Sequence, residues 1–291
     1  MSLACAKASL ACMESGCGRI YRMYYVTIIF TVLLVFYGIL FSLLAYNSFY
    51  IDWFIEKITL KDTVRGMKQQ ILGQRMYVPR KTRRDVRVNV YLPAERDMPV
   101  VYFAHGGDFI HGDPDDIDAF LNRMKDVWNV AIVSIAYSLI REHVTSYPQE
   151  EIQDVVSYFY EHGHEHGFDG KRFLLAGSQA GAYLSLIAGV SLVQASKVAK
   201  GYLFLYPYLD YVSTSFARAG WHPGPVAIIG AGSEKDVFAC EEYEFELDRA
   251  GVGARLKSFP GKSLRFIENE EDGWRDAVQW IKDRIDEDLR R

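Results

Sequence analysis

The sequence has few cysteines for its length, with four in 291 residues. Cys5, Cys12 and Cys17 precede any plausible globular sequence, which leaves Cys240 alone in the main body of the chain. A disulfide framework needs cysteine pairs, and a CxxC metal site needs two cysteines close together. This arrangement excludes both kinds of site.

The chain also lacks a strongly basic segment. Its formal net charge is -4, and no Lys/Arg cluster is interleaved with aromatic residues that would stack on bases. Proteins that bind nucleic acid carry such a positive surface. We therefore predict that nucleic acid is not a partner.

Histidine is absent after His222. Three of the seven histidines, His162, His164 and His166, alternate near the end of a predicted helix. Metal binding and a solvated polar helix terminus both fit that spacing, and the second is the commoner arrangement. We predict no metal and no cofactor.

Charged residues are absent from a long apolar run near the N-terminus. Between Met23 and Ile51 there is no Asp, Glu, Lys or Arg. About 20 apolar residues suffice to cross a bilayer. The run therefore predicts a transmembrane helix over residues 23–50, which would make this a single-pass membrane protein.

The leader, residues 1–22, carries the charge that orients such a helix. Lys7, Arg19 and Arg22 stand against a single Glu14. The positive-inside rule then predicts a cytoplasmic N-terminus and an extracytoplasmic main domain. A start at Met13 or Met23 would remove part or all of that leader and weaken the orientation argument.

A cleaved signal peptide is the alternative interpretation of the apolar run. Its apolar core is usually shorter and ends in small residues near a cleavage site. Here the run continues into the bulky residues Phe49, Tyr50 and Trp53. This continuation favours an uncleaved anchor.

Beyond the anchor, residues 51–75 have apolar positions at helical spacing, and we predict an amphipathic connecting or cap helix there. Residues 76–291 then alternate short β-rich runs with helical ones, and we predict helices from about Pro148 to Glu161, after Ser178, near Cys240 to Ala250 and from about Asp272 to Asp288. The predicted strands are VRVNVYL, PVVYFAH, NVAIVSIAY, KRFLLAG, GYLFLYPYL, GPVAIIGAG and ARLKSFP. This alternation predicts an α/β domain with a mostly parallel sheet and helices on both faces.

The fourth predicted strand, KRFLLAG, is followed directly by Ser178 in a turn rich in small residues. In a parallel sheet the catalytic groups lie on loops at the carboxyl ends of strands. A nucleophilic serine on such a turn needs small neighbours because its backbone is strained. Ala176 and Ala180 stand where glycines are usual. A serine that only caps the following helix is the alternative.

A second motif favours the nucleophile. The run PVVYFA is followed by His105, Gly106, Gly107 and Asp108. Consecutive glycines let backbone amides point at a developing negative charge, as in an oxyanion hole.

Five motifs in this order resemble the hormone-sensitive-lipase-like branch of the α/β-hydrolases. That branch has a His-Gly-Gly-Gly loop, a Tyr-Arg-Leu-Ala-Pro-Glu-His segment, a Gly-Asp-Ser-Ala-Gly-Gly elbow, a late Asp-Pro-Leu and a Tyr-Pro-Gly-x-x-His-Gly-Phe. The corresponding segments here are 105–108, 137–143, 176–181, 236–238 and 259–266. The resemblance covers roughly Tyr77 to Ile285 and implies an α/β-hydrolase fold.

The resemblance also implies site residues. Ser178 would be the nucleophile of a serine carboxylic-ester hydrolase, and Asp236 the triad acid, with Glu234 as a nearby alternative. The amides of Gly106, Gly107 and Gln179 would form the oxyanion hole. The substrate would be a small acyl ester or another apolar small molecule.

The family's catalytic histidine falls on Leu264. A serine hydroxyl without an adjacent base is a weak nucleophile at neutral pH, and losing a triad member costs several orders of magnitude in rate. His111, just after the oxyanion loop, is the local surrogate. Asp108 would in addition bring negative charge towards the oxyanion.

Three functional hypotheses follow. The chain is a membrane-anchored esterase/lipase-like hydrolase impaired by an incomplete triad, a non-catalytic small-molecule binder, or an interaction protein with a vestigial pocket. The plant gibberellin receptors are similar in kind, since they belong to this branch, lack the histidine and bind a small molecule in the pocket.

Overall fold

The computed structural model describes residues 23–42, 71–81, 83–139, 148–207 and 224–290. The chain divides into two units, Met1–Gln70 and Ile71–Arg291. The predicted leader 1–22, the end of the predicted span after Ser42 and residues 51–70 of the predicted connecting helix lie outside the described residues.

In the first unit, helix α1 spans Met23–Ser42. It has 20 residues and a mean hydropathy of 2.3, and its side chains are exposed rather than packed in a protein core. Length and composition therefore make α1 long and apolar enough to cross a membrane.

The second unit is built on an eight-stranded sheet with the order β1-β2-β4-β3-β5-β6-β7-β8. The strands are β1 Gln74–Val78, β2 Val86–Tyr91, β3 Met98–Ala104, β4 Ala131–Ile135, β5 Phe168–Ser178, β6 Gly201–Leu205, β7 Val226–Gly232 and β8 Ala254–Pro260. β2 pairs antiparallel with β1 and β4, and all the other pairs are parallel. The prediction of a mostly parallel α/β sheet is confirmed.

Helices lie between successive parallel strands where the structure describes the connection, and one further helix follows the last strand. They are α2 Asp118–Trp128, α3 Pro148–His162, α4 Ala180–Gln194, α5 Glu234–Arg249 and α6 Trp274–Arg290. Short 3₁₀ helices occupy Pro114–Ile117 and Gly163–His166.

The central strands are buried on both faces, so their sequences are continuous apolar runs. In β3, Val100 and Tyr102 belong to one core cluster, whereas Val101 and Phe103 belong to the other. Successive strand residues point to opposite faces of a sheet. The sheet therefore separates two cores, and polar side chains concentrate where the strands end.

A polar network fixes the segment between β3 and α2. Asp115 accepts hydrogen bonds from Arg87 and Asn89 on β2. Asp118 accepts from the backbone amides of Leu72 and Gly73 at 2.8 and 3.1 Å. These bonds hold the chain from Asp113 to Ile117 against the sheet.

Two boundaries and one whole helix differ from the sequence predictions. Gln74 and Arg75, expected at the end of the connecting helix, belong to edge strand β1. Helix α5 begins at Glu234, before its predicted start near Cys240, because Ser233 and Asp236 form a capping box. Helix α2 was not predicted, although Asp113 and Pro114 supply start signals before it.

Candidate functional site

The turn between β5 and α4 is a sharp strand-to-helix elbow. β5 ends at Ser178 and α4 begins at Ala180. Gln179 between them has φ 49° and ψ -118°, a conformation that is costly for a residue with a side chain. The strained residue of such an elbow is the one whose side chain is presented at the top of the sheet. The apex is therefore Gln179, one residue later than expected.

The flanking glycines agree with an apex at Gln179. A Cβ atom on Gly177 would lie 2.4 Å from the carbonyl carbon of Gly181. A Cβ atom on Gly181 would lie 2.1 Å from the carbonyl oxygen of Ala104. The backbone therefore requires glycine two residues before and two residues after Gln179.

This geometry corrects the sequence alignment of the elbow. The pattern is Gly177-Ser178-Gln179-Ala180-Gly181, with both glycines intact and glutamine in the central position. Serine is the expected nucleophile, but a motif centred on Ser178 has alanines at both flanks. The intact Gly-x-Gln-x-Gly spacing is the sequence signal that indicates Gln179 as the apex.

The predicted oxyanion loop does meet the elbow. The parallel register places Ala104, at the end of β3, opposite Gly177 on β5. The backbone N–H of Gly107 donates to the side-chain carbonyl oxygen Oε1 of Gln179 at 3.2 Å. A Cβ atom on Gly106 would lie 2.4 Å from the same oxygen. A side-chain oxygen of the protein thus lies against the glycines predicted to bind a substrate oxygen.

The third predicted oxyanion donor is engaged elsewhere. The backbone N–H of Gln179 donates to the carbonyl oxygen of Leu205, at the end of β6, at 2.9 Å. It therefore forms a sheet-type bond. The amide that follows the apex belongs to Ala180.

A cavity of about 170 Å³ opens at this edge of the sheet. Its lining comes from the segments after β3, after β5 and after β8. The lining residues are His105, Gly106, Gly107, Asp108, His111, Gly112, Asp113, Asp116, Ile117, Ser178, Gln179, Arg265 and Glu268. Ser178, the glycine loop, Gln179 and His111 all line this cavity.

Asp236 and Leu264 are not among the lining residues of that cavity. Asp236 lies in the first turn of α5, where its Oδ2 accepts from the backbone N–H and hydroxyl of Ser233 at 2.8 and 2.7 Å. Leu264 follows β8 and is 38% exposed. The carboxylate of Asp236 therefore caps a helix here.

The loop after β8 contributes two residues that sequence reasoning missed, Arg265 and Glu268. Tyr206 donates its hydroxyl hydrogen to Oε2 of Glu268 at 3.2 Å and accepts from the backbone N–H of Ile267 at 3.2 Å. Burial raises the pKa of Glu268 to about 7. Burial also raises the pKa of Asp116. The hydrogen bonds and charges around these two carboxyls therefore do not fully offset the cost of burying their ionised forms.

His105, at the start of the glycine loop, packs against Tyr137. Its ring stacks on Tyr137 with centroids 4.3 Å apart, and the Tyr137 hydroxyl donates to the His105 carbonyl oxygen at 2.8 Å. Burial lowers the pKa of His105 to about 4, so the imidazole is neutral at pH 7.

The alternating histidines lie at the exposed end of α3. His162 is 3.0 Å from Glu165, and His164 is 3.0 Å from Asp97. Within the described part of the chain, no group of three or more His, Cys, Asp or Glu side chains could hold a metal ion.

Sequence comparison finds esterase relatives. A family model described as alpha/beta hydrolase fold matches residues 100–224. An acetyl esterase of Salmonella schwarzengrund (strain CVM19633) is 30% identical over 145 residues, which is 47% of this chain and 44% of that protein. An acetyl esterase of Salmonella choleraesuis (strain SC-B67) is 33% identical over 108 residues, 36% of this chain and 33% of that protein. Each match spans less than half the length of the relative.

Structure comparison agrees on the fold. A Pyrobaculum calidifontis esterase has a TM-score of 0.66 at 19% identity, covering 81% of this chain and 91% of that one. A bacterial heroin esterase has a TM-score of 0.68 at 18% identity, covering 80% and 91%. At these identities, the likeness establishes the shared fold.

Proposed function

We propose that the chain is an esterase-like α/β-hydrolase of the branch it resembles, and that it uses the pocket at the carboxyl edge of the sheet to bind a small molecule without hydrolysing it; the family model and the acetyl esterase relatives support the first part. The observation that carries this proposal is Gln179 at the apex of the elbow, with its Oε1 bonded to the N–H of Gly107. A carboxamide is not a nucleophile. It also occupies a donor that a substrate oxygen would need.

The absent base supports the same conclusion. Leu264 stands where the family resemblance puts the histidine, and no histidine follows it in the sequence. Catalysis by a triad needs a nucleophile at the apex and a base after β8, and Gln179 and Leu264 supply neither. Asp236, the proposed triad acid, then has no imidazole to orient.

Hydrolysis with Ser178 as nucleophile is the competing proposal, because Ser178 and His111 line the same cavity. It faces two obstacles. Ser178 is the last residue of β5 and is only 6% exposed. The oxyanion donor at Gly107 is already bonded to Gln179. We therefore retain it as the alternative that experiment must exclude.

Turnover of p-nitrophenyl acetate by the purified full-length protein tests these proposals. We expect a rate at least ~10³-fold below that of an intact family esterase, because triad knockouts fall by such factors. Ser178→Ala should leave the residual rate unchanged. Robust turnover that is abolished by both Ser178→Ala and His111→Ala would establish the hydrolytic alternative.

A gain-of-function variant supplies the positive control for that assay. Gln179→Ser with Leu264→His returns the family residues to the apex and to the base position. General-base participation is worth roughly 10²–10⁴-fold, so partial alignment should raise the rate visibly above that of Gln179→Ser alone. A folded double variant with no gain would mean that the loop after β8 no longer aims at the elbow.

We also propose that α1 anchors the protein in a membrane as an uncleaved helix, with the N-terminus cytoplasmic and the hydrolase-fold domain extracytoplasmic. The length and hydropathy of α1 support the anchor. The positive leader residues Lys7, Arg19 and Arg22 support the orientation.

A further inference from the structure

The cavity beside Gln179 is walled by charged side chains, which is unusual for a pocket that would accept a neutral ester. Arg265 contributes a cation, whereas carboxyls come from Asp108, Asp113, Asp116 and Glu268, of which Asp113 pairs with Arg87. Ligand pockets for apolar molecules are lined mainly by hydrophobic and aromatic side chains, with few polar groups. The composition of this wall therefore indicates a ligand that carries charge.

The opposite charges in the wall do not neutralise one another directly. Burial raises the pKa values of Asp116 and Glu268, and the positive charge of Arg265 partly opposes that rise in both, so it lies within electrostatic range of each. Nevertheless, the ion pairs within 4.0 Å in the described part of the chain do not include Arg265, Asp116 or Glu268. The cation and the two carboxyls are held near each other but apart.

We propose that this cavity binds a small zwitterion, a molecule that carries one carboxylate and one ammonium group. The carboxylate would bind the guanidinium of Arg265, and the ammonium would lie between the carboxyls of Glu268 and Asp116. The hydroxyl of Ser178 and the side-chain amide of Gln179 would complete the polar contacts. This assignment rests on the proposed non-hydrolytic binding function.

A ligand with only one of the two charges would leave part of this wall uncompensated. A simple anion could pair with Arg265, but it would then lie beside Asp108, Asp116 and Glu268. A simple cation could pair with Glu268, but it would lie beside Arg265. Glu268 is partly buried, and water screens a partly buried charge less than an exposed one. A zwitterion compensates both signs at once.

The size of the cavity limits the length of the ligand. An apolar cavity of about 150 Å³ holds one benzene molecule, and this cavity measures about 170 Å³. Short ω-amino acids are of that size. A peptide or a long acyl chain is not.

Isothermal titration calorimetry of the full-length protein in detergent micelles tests the proposal. The probes are glycine, β-alanine and γ-aminobutyrate, each compared with the acid and the amine of the same chain length. We expect at least one amino acid to bind about tenfold or more tightly than both of its singly charged analogues, since one charge-assisted contact is worth about that factor.

Two variants and a matched control identify the contacts. Arg265→Gln and Glu268→Gln should each weaken amino-acid binding about tenfold or more. Arg275→Gln should leave it unchanged, because Arg275 packs over the ring of Trp274 and does not line the cavity. Affinity should also rise from about pH 6 to about pH 8 as Glu268 ionises, and Glu268→Gln should flatten that rise.

Three results would overturn the zwitterion assignment: acids that bind as tightly as the amino acids, amines that do so, or no binding by any probe. A protein that is inert towards esters yet ignores every amino acid would overturn this inference alone. Ester turnover that depends on Ser178 would instead overturn the proposed function, so the two failures are distinguishable.

Discussion

Glu268 is a carboxyl that the folded protein makes harder to ionise. It accepts one hydrogen bond from Tyr206 and has no cation within ion-pair distance among the described pairs. Its pKa therefore rises from 4.5 to about 7 on folding. Ionisation of a carboxyl with a raised pKa lowers the free energy of unfolding.

The shift predicts a pH dependence of stability. Between about pH 4.5 and about pH 7 the native state keeps a proton that the unfolded state has released, so the free energy of unfolding falls as pH rises. Glu268→Gln removes this titration and keeps the hydrogen-bond acceptor. From about pH 5 to about pH 8 the variant should lose less stability than the parent, by on the order of 1–3 kcal/mol.

Urea unfolding followed by circular dichroism at the two pH values measures the difference. Glu242→Gln is the matched control, because Glu242 is an exposed residue of α5, outside the cavity. If parent and Glu268→Gln lose the same stability between these pH values, Glu268 does not carry the pH dependence.

Residue identity alone could not locate the elbow apex. Ser178 is the residue that chemistry favours, and the alanines on either side of it are small enough to seem acceptable. The positive φ of Gln179 and the close contacts at Gly177 and Gly181 identify the strained residue, in agreement with the intact glycine spacing around Gln179 in the sequence. Arg265 was missed because it stands where the family motif has glycine, and Glu268 because it follows that motif; both become functional candidates only when the loop after β8 meets the cavity.

At the scale of elements, the strand-to-helix turn depends on close backbone packing. Gly181, at the start of α4, lies against the carbonyl oxygens of Ala104 and His105 at the end of β3. This packing brings the elbow and the glycine loop into contact. The contact between the start of α4 and the end of β3 therefore positions the elbow relative to the glycine loop.

A methyl group at that point should separate them. In Gly181→Ala the new Cβ would lie 2.1 Å from the oxygen of Ala104, so α4 or β3 must shift. Overpacking of this kind costs roughly 1–3 kcal/mol, which corresponds to a melting temperature lower by about 2–4 °C for each kcal/mol in a domain of this size. Circular dichroism melts provide the measurement.

Gly253→Ala is the control for that experiment. An added Cβ at Gly253 would meet nothing within 4 Å, and its melting temperature should stay close to that of the parent. Equal melting temperatures for the two alanine variants would mean that the elbow tolerates the extra atom and is not held by this contact.

Most elements were predictable because the strands of a parallel sheet are buried on both faces and read as unbroken apolar runs. β1 was missed because it is an edge strand, with mostly exposed residues in QRMYV. α2 carried readable signals, since Phe120, Leu121, Met124 and Trp128 form its buried face. The start of α5 depended on a capping box whose aspartate had been assigned to catalysis.

At the scale of the whole molecule, α1 differs from every other helix. Its apolar side chains, including Phe30, Leu33 and Phe36, are about three-fifths exposed, whereas apolar α4 buries most of its residues in the core. Exposed apolar surface of that extent is unfavourable in water. A bilayer is the environment that removes this cost, since a helix satisfies its own backbone hydrogen bonds there.

The anchor proposal predicts that the full-length protein stays with membranes during extraction by alkaline carbonate. Replacing both Leu33 and Leu34 with lysine places two charges near the middle of α1, each costing about 2.5–3.5 kcal/mol on insertion scales. That variant should move substantially into the carbonate supernatant. Lysine at Leu72 and Val198, which are both exposed outside α1, should leave the protein in the pellet.

External protease on intact cells should digest the hydrolase-fold domain and leave a fragment that retains the N-terminus. Recovery of a soluble form that begins near Asn47 would instead establish a cleaved signal, and a protected domain would reverse the orientation that Lys7, Arg19 and Arg22 predict.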